Sequence, residues 1–166
     1  SSIKTDSRMF NEDIDGSMRV VDTESLMRDY RSALADGAEL PLVVSGGSMR
    51  PFLAPGRDTV YLRAPDRPLR RGDIAFYRRA DGQYVLHRIC RARGGQFWFV
   101  GDAQDVREGP LPASCVFAYV TAVRRKGRLE KPGMPLWALF AGPWLCLIGW
   151  RQRILHVYGR LRPHLR

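Results

Sequence analysis

The stretch YVLHRICRARGGQFWFV, residues 84–100, contains two runs of strand-forming residues on either side of a glycine pair. Residues 84–90 and 97–100 are rich in aromatic and β-branched side chains, which favour extended strands. Gly94 and Gly95 between them are typical of a hairpin turn. The stretch therefore predicts an antiparallel hairpin and places the surrounding domain in the β class.

The flanking sequence continues this pattern of short strands and turns. Further candidate strands are residues 40–44, 59–63, 74–77 and 117–123, and Asp81 with Gly82 forms a second hairpin signal. The sequence shows neither alternation of strands with helices nor an internal repeat. We therefore expect residues 39–128 to form one compact, mainly β domain built of hairpins.

The sequence before this domain divides into two parts. Residues 1–18 are polar and are expected to lack stable structure. Residues 19–38 predict a helix, because Asp22 or Thr23 is a suitable N-cap and apolar residues then recur at helical spacing. Asp36 and Gly37 are expected to end this helix.

The C-terminal tail, residues 132–166, predicts helices. Residues 132–150 carry no charge, and as one helix these 19 residues would measure about 28 Å, close to the thickness of a bilayer core. Pro135, Gly142 with Pro143, and Gly149 interrupt the run. Beyond Trp150 the pattern is that of a basic amphipathic helix. The tail therefore predicts membrane association, lying on or dipping into the bilayer rather than spanning it; the alternatives are a helical hairpin packed on the domain or an oligomer contact.

The net charge of +10 is concentrated in the same part of the chain, since residues 124–166 carry 10 basic side chains and 1 acidic one. Because these charges surround an apolar run with tryptophans, an anionic membrane surface is the expected partner. Nucleic acid is not expected, since no nucleic-acid-binding module is recognisable. We expect a protein associated with the plasma membrane.

The loop SGGSMRP, residues 45–51, follows the apolar strand at 40–44 and is a candidate site for a nucleophile. A serine hydroxyl needs a base within hydrogen-bond distance to become a nucleophile. The chain contains three lysines and three histidines, and His87 is the only one of these six between the loop and the end of the last candidate strand at residue 123. We therefore predict Ser48 as the nucleophile and His87 as its general base.

A general base also needs an acceptor that orients its ring. Gly101 and Asp102 directly follow the strand at 97–100, and Asp102 is the first candidate, with Asp105 and then Glu108 as alternates. Cys90, Cys115 and Cys146 show no metal-binding spacing. No metal and no cofactor is expected.

Five short boxes in this region, taken in order, resemble type I signal peptidases and their relatives in the LexA-like serine peptidase superfamily. They lie at residues 47–51 (GSMRP), 53–60 (LAPGRDTV), 69–77 (LRRGDIAFY), 85–89 (VLHRI) and 101–104 (GDAQ). Together they cover about residues 39–123. The resemblance implies that family's compact β fold and a serine endopeptidase activity.

The resemblance also implies which subtype the chain is similar to. Members of the family use either Ser and Lys or Ser, His and a carboxylate, and His87 in the base position matches the second type. Many relatives have a serine where this chain has Gly46, so the oxyanion hole is expected to use the Ser48 N–H, with Ser45 as the nearest hydroxyl. The implied substrate is a precursor peptide or protein, bound as an extended strand and cleaved after a leader or signal segment. The alternative is a catalytically silent member of the fold that binds peptides at a membrane surface.

Overall fold

The computed structural model describes residues 9–12, 18–21 and 23–161 and has the mainly β fold that the sequence predicts. Its centre is an eight-stranded antiparallel sheet. The strands are β3 (Leu40–Val43), β4 (Thr59–Arg63), β5 (Ile74–Arg78), β6 (Tyr84–Arg93), β7 (Gln96–Val100), β8 (Glu108–Pro112), β9 (Val116–Arg125) and β10 (Arg128–Glu130).

The strand order is β3-β4-β9-β5-β6-β7-β8, with β10 paired to β9. The hairpin predicted from residues 84–100 is confirmed, with Gly94 and Gly95 in its turn at positive φ. The sequence did not predict β8, because Gly109, Pro110 and Pro112 are poor strand formers. These residues are tolerated because β8 is an edge strand, where a missing N–H need not interrupt a ladder.

The central strands bury both of their faces, because side chains alternate between two apolar clusters. Ile74, Phe76 and Leu86 belong to the larger cluster, which also includes Met27 and Leu34 of the N-terminal helix. Ala75, Tyr77, Val85 and Ile89 belong to the smaller cluster on the opposite face, together with Phe97 and Phe99 of β7. His87 follows the same alternation and faces the side of the smaller cluster.

The N-terminal region differs in part from the prediction. The helix α1 is confirmed but spans Thr23–Ala35, and Gly37 ends it at a φ of +86°. Where we expected no stable structure, β1 (Met9–Glu12) pairs antiparallel with β2 (Met18–Val21). The pairing sets Phe10 opposite Val20, two residue types that favour strands. Residues 1–8, 13–17 and Asp22, which fall within the predicted regions 1–18 and 19–38, lie outside the described residues.

The apolar run at 132–150 is not one continuous helix. It forms α2 (Pro135–Ala141), α3 (Pro143–Cys146) and a turn, after which α4 spans Arg151–Leu161. The break falls at Gly142 and Pro143, because proline lacks the N–H that would continue the helix. No helix in the described part of the chain has both the length and the apolar character needed to cross a bilayer.

Part of the tail packs on the domain, as one of the sequence-based alternatives proposed, and membrane association of the tail stays a prediction. Trp137 and Phe140 of α2 are buried against Phe52, with ring centroids 5.6 and 5.0 Å apart. Trp144 donates its indole N–H to the carbonyl oxygen of Asp102 at 2.8 Å. The guanidinium of Arg151 is wholly buried. Residues 162–166 lie outside the described residues.

Candidate active site

Ser48 lies in a tight turn between β3 and β4. Gly46 adopts a φ of +72°, which a residue with a side chain rarely adopts, and the turn is closed by a hydrogen bond from Leu53 N to Met49 O at 2.8 Å. Met49 and Phe52 are fully buried, so the core fixes the turn on the C-terminal side of the serine. Ser48 itself is half-buried and is presented at the edge of the core.

The structure brings Ser48 and His87 together. The hydroxyl oxygen of Ser48 lies 3.1 Å from Nε2 of His87, across a sequence separation of 39 residues. His87 is only 2% exposed and is held in the middle of β6, where it pairs with Ala75 of β5. A serine hydroxyl and an imidazole nitrogen at this distance have the geometry of a nucleophile and its base.

The other ring nitrogen of His87 contacts a phenol rather than a carboxylate. Nδ1 lies 3.2 Å from the hydroxyl of Tyr77, and that hydroxyl donates to Oε2 of Glu108 at 2.8 Å. Arg79 donates to both carboxylate oxygens of Glu108 at 2.7 Å. A continuous chain of hydrogen bonds therefore runs from Ser48 through His87 and Tyr77 to an Arg79–Glu108 ion pair.

This chain determines which nitrogen of His87 carries the proton. An ionised Glu108 is only an acceptor, so Tyr77 must donate to it and can offer His87 only a lone pair. Burial and the adjacent Glu108 both raise the pKa of Tyr77, which keeps the phenol protonated. His87 therefore holds its proton on Nδ1 and presents an unprotonated Nε2 to Ser48. That is the tautomer a general base requires.

The surroundings of His87 favour its neutral form. Burial lowers the pKa of His87 well below its usual value, and the positive charge of Arg79 lowers it further. Desolvation acts in this direction because imidazolium loses more hydration than imidazole on burial. The imidazole is consequently available to accept a proton at neutral and mildly acidic pH.

The prediction that Asp102 orients His87 is corrected by this geometry. Both carboxylate oxygens of Asp102 accept hydrogen bonds from Arg88, at 2.9 and 2.8 Å, and both side chains are fully buried. Arg88 neighbours His87 on β6 and therefore points to the opposite face of the strand. A buried guanidinium needs a charged partner, and this requirement places Asp102 with Arg88. An arginine among the buried residues 84–89 of β6 is the sequence signal for this pair.

The two alternate carboxylates occupy different positions. Glu108 acts on His87 only through Tyr77, as described above. Asp105 accepts a hydrogen bond from the backbone N–H of Gly149 at 3.3 Å and so contacts the tail. Of the three carboxylates considered from the sequence, Glu108 is the one connected to the imidazole.

Tyr77 and Arg79 were not among the residues predicted from the sequence. The hairpin at Asp81 and Gly82 sets Ala75 opposite His87 and Tyr77 opposite Val85, so Tyr77 lies on the same face as His87 and diagonal to it. Arg79 pairs with Gln83, so the turn contains three residues, 80–82, with Gly82 at a φ of +86°. Together with the two-residue period of a strand, this turn length places Tyr77 on the face of His87. The turn residues were visible in the sequence, but the turn length that sets the register was not.

Gly101 and Ala103 hold Ser48 from the other side. The N–H of Ala103 donates to the carbonyl oxygen of Ser48 at 2.7 Å. A Cβ on residue 101 would lie 2.6 Å from that oxygen and 3.0 Å from Ser48 Cβ, so only glycine fits. The segment 101–104, predicted to supply the orienting carboxylate, instead supports the backbone of the nucleophile.

A cleft of about 440 Å³ opens beside His87 and is large enough to receive a peptide side chain. Its other lining residues come from the position after β5, from the segment between β7 and β8, from the start of β8 and from α4: Arg79, Gln104, Asp105, Val106, Glu108 and Gln152. The hydroxyl oxygen of Ser45 is buried. The use of the Ser45 hydroxyl and the Ser48 N–H as an oxyanion hole stays a prediction.

The residues described by the structure contain no cluster of three or more His, Cys, Asp or Glu side chains suited to a metal ion. No protein-family model matches the chain, and neither a curated protein nor a solved structure is significantly similar to it. The geometry of the Ser48 site is therefore the basis on which a function is inferred.

Proposed function

We propose that the protein is a serine endopeptidase that resembles type I signal peptidases and removes a leader or signal segment from a precursor peptide or protein. The observation that carries the proposal is the 3.1 Å contact between Ser48 Oγ and His87 Nε2. The half-buried serine hydroxyl and the buried imidazole, whose Nδ1 contacts Tyr77, have the arrangement that acyl transfer requires.

The proposed reaction is an acyl transfer in two steps. Ser48 Oγ attacks the carbonyl carbon of the scissile bond while its proton passes to His87 Nε2. His87 then gives that proton to the leaving amine, so the C–N bond breaks and an ester to Ser48 remains. Water, activated by the same nitrogen, hydrolyses the ester and restores the hydroxyl. Tyr77 accepts the Nδ1 hydrogen bond throughout and keeps the ring in position.

An extended substrate is consistent with the topology around the nucleophile. The strand β3 leads into the Ser48 turn and is an edge of the sheet, where unpaired backbone groups favour the addition of a further strand. The cleft beside His87 would then receive a substrate side chain close to the scissile bond.

The proposal is tested with an acylating peptide probe that reacts with activated serines, followed by mass spectrometry to locate the adduct. We expect the adduct on Ser48, its loss in Ser48→Ala, and a rate at least about 100-fold lower in His87→Ala, since a positioned base contributes roughly 10²–10⁴-fold. Ser32→Ala, at an exposed position of α1, serves as a control for serine substitution outside the site. A folded protein whose Ser48 does not react would instead be the peptide-binding member of the fold.

A further inference from the structure

The helix α4 leaves an apolar face without a partner in the described part of the chain. Trp150, Val157 and Tyr158 are 59%, 55% and 57% exposed, and Ile154 is also exposed. Positions 150, 154 and 157 fall on one helical face, and Tyr158 lies at the border between this face and the docked side, where it lines a pocket with Leu155. Arg151 and Leu155, which are buried and half-buried, lie on the side of α4 that contacts the domain. The helix is therefore docked by one face and presents a second, apolar face to the outside.

A cationic pocket lies next to this apolar face. It has a volume of about 240 Å³ and is formed by Arg50, Pro51, Ala54, Arg57, Arg125 and Lys126, with Leu155 and Tyr158 from α4. Arg57 pairs with the buried Asp58. Arg125 donates to the carbonyl oxygen of Phe52 at 2.7 Å. Among the residues described by the structure, Arg50 and Lys126 have no ion-pair partner, so the pocket keeps a net positive charge.

We propose that this surface docks on an anionic bilayer, with the apolar face of α4 in the interface and a lipid phosphate in the pocket. Tryptophan and tyrosine are the side chains that favour the level of the headgroups, and Trp150 and Tyr158 stand at this face. The guanidinium of Arg153 lies 5.1 Å from the ring of Trp150, so a cation accompanies the apolar side chains. This combination is typical of helices that lie in a membrane interface.

Charge distinguishes the bilayer from the other occupants of such a face. The described part of this surface carries Arg50, Lys126 and Arg153, so a second copy of the chain docked on it would bring like charges together. An anionic lipid surface supplies the complementary charge along the whole face. The exposed apolar side chains need an apolar environment, which a soluble phosphate would not provide.

The pocket also connects the membrane contact to the nucleophile. Arg50 and Pro51 follow Ser48 after one intervening residue, and Arg125 holds the carbonyl oxygens of Pro51 and Phe52. A headgroup bound here would lie close to the turn that presents Ser48. A precursor segment leaving the bilayer would then meet the nucleophile near the membrane surface.

Sedimentation with vesicles tests this proposal without any requirement for catalysis. The purified chain is mixed with phosphatidylcholine vesicles and with the same vesicles containing phosphatidylglycerol, and the bound fraction is measured. We expect binding only to the anionic vesicles, weakening as salt is added because the charges are screened. Trp150→Ser with Val157→Ser should abolish binding. Arg50→Gln with Lys126→Gln should weaken it about fivefold for each charge removed.

A matched control carries one apolar and one charge change at exposed positions outside this surface, Val106→Ser with Arg93→Gln, and should bind like the parent. Circular dichroism verifies that every variant is folded. Equal binding to neutral vesicles, no binding at all, or unchanged binding of the Trp150 and Val157 variant would overturn the proposal. If soluble glycerol phosphate competes with the vesicles, the pocket is a phosphate site instead. If the parent dimerises with increasing concentration and the Trp150 and Val157 variant does not, the apolar face is a contact between copies of the chain.

Discussion

The hydroxyl of Tyr77 lies 3.2 Å from Nδ1 of His87 and gives its own proton to Glu108, so it can only accept the imidazole proton. A neutral phenol therefore stands between the imidazole and the carboxylate. It fixes the tautomer as well as a carboxylate would, but it places no full negative charge against the ring. The negative charge of Glu108 is in turn matched by Arg79. Burial lowers the pKa of His87, the positive charge of Arg79 lowers it further, and no carboxylate of the described residues lies directly against the ring to oppose them.

Tyr77→Phe tests the role of this phenol. Removing the hydroxyl leaves Nδ1–H without its acceptor while the ring still stacks on Phe99, at a centroid distance of 4.0 Å. The rate of Ser48 acylation by the peptide probe should fall about 10- to 100-fold, the effect of losing a hydrogen bond of about 1.5–3 kcal/mol to a group that becomes charged. Tyr84→Phe, a buried tyrosine of the same sheet, should keep the parent rate. Equal rates in both variants would remove Tyr77 from the site.

Glu108→Gln and Asp102→Asn should show that the two carboxylates have different roles. The first should change mainly the acylation rate, and the second mainly the free energy of unfolding. Glu108→Gln weakens the acceptor behind Tyr77 and should slow acylation roughly threefold to tenfold, with little change in the free energy of unfolding, because its ion pair with Arg79 is partly exposed. Asp102→Asn leaves the fully buried Arg88 without a charged partner and should lower the free energy of unfolding by about 3 kcal/mol.

Denaturant unfolding and probe kinetics on the same preparations give both quantities. If Asp102→Asn keeps the parent stability but stops acylation, and Glu108→Gln reacts normally, then Asp102 is the orienting carboxylate after all.

The fold and the Ser48–His87 pair could be predicted from the sequence because both depend on local signals. Alternating side chains and glycine turns determine the hairpins, and the scarcity of His and Lys left one candidate base. The carboxylate of the predicted Ser-His-carboxylate site could not be identified in this way. Asp102, Asp105 and Glu108 lie within seven residues of one another, and their contacts depend on competition from arginines in distant strands. Arg88 forms an ion pair with Asp102, and Arg79 forms one with Glu108.

The tail shows a second limit of sequence patterns. Its apolar composition is equally compatible with a bilayer and with a protein core. The packing of α2 on the domain depends on Phe52, which is its apolar partner. The position of Arg151 depends on the carbonyl oxygens of residues 101 and 104, which accept its hydrogen bonds. None of these partners lies near the tail in sequence.

His87 should make stability depend on pH. Its folded pKa is lowered, so the unfolded chain binds this proton first, and the contribution is present above the unfolded pKa and is lost as the pH falls toward the folded value. From about pH 7.5 to about pH 5.5 the free energy of unfolding should drop by about 1.4 kcal/mol more in the parent than in His87→Gln. Urea unfolding at the two pH values checks this difference. A parallel pH dependence in both proteins would mean that His87 is readily protonated in the folded state.

Gly101→Ala should impair the site from a position 53 residues away in sequence. The added Cβ would lie 2.6 Å from the Ser48 carbonyl oxygen, so either Ser48 or the segment 101–104 must move. Because a displacement of about 1 Å can cost roughly 100-fold in rate, acylation should fall by one to two orders of magnitude. In Gly159→Ala, where nothing lies within 4 Å, the parent rate should be kept. Parent-like kinetics in the Gly101 variant would show that this contact does not position the nucleophile.

Arg151→Lys tests whether the tail also supports the nucleophile. The buried guanidinium donates to the carbonyl oxygens of Gly101, Gln104 and Trp144, and the segment 101–104 in turn holds Ser48. A lysine keeps the charge but cannot span three acceptors, so buried carbonyls are left unsatisfied at about 1–3 kcal/mol each. We expect α4 to become sensitive to limited proteolysis and the acylation rate to fall.

Arg153→Lys is the matched control, since Arg153 is exposed and contacts the ring of Trp150 rather than the backbone near Ser48. It should resist proteolysis and react like the parent. A loss of acylation in Arg151→Lys that appears in kcat with little change in KM would indicate displacement of the reacting groups, because a loosened substrate cleft would raise KM first. If α4 is released but Ser48 reacts at the parent rate, the tail stabilises the fold without positioning the nucleophile.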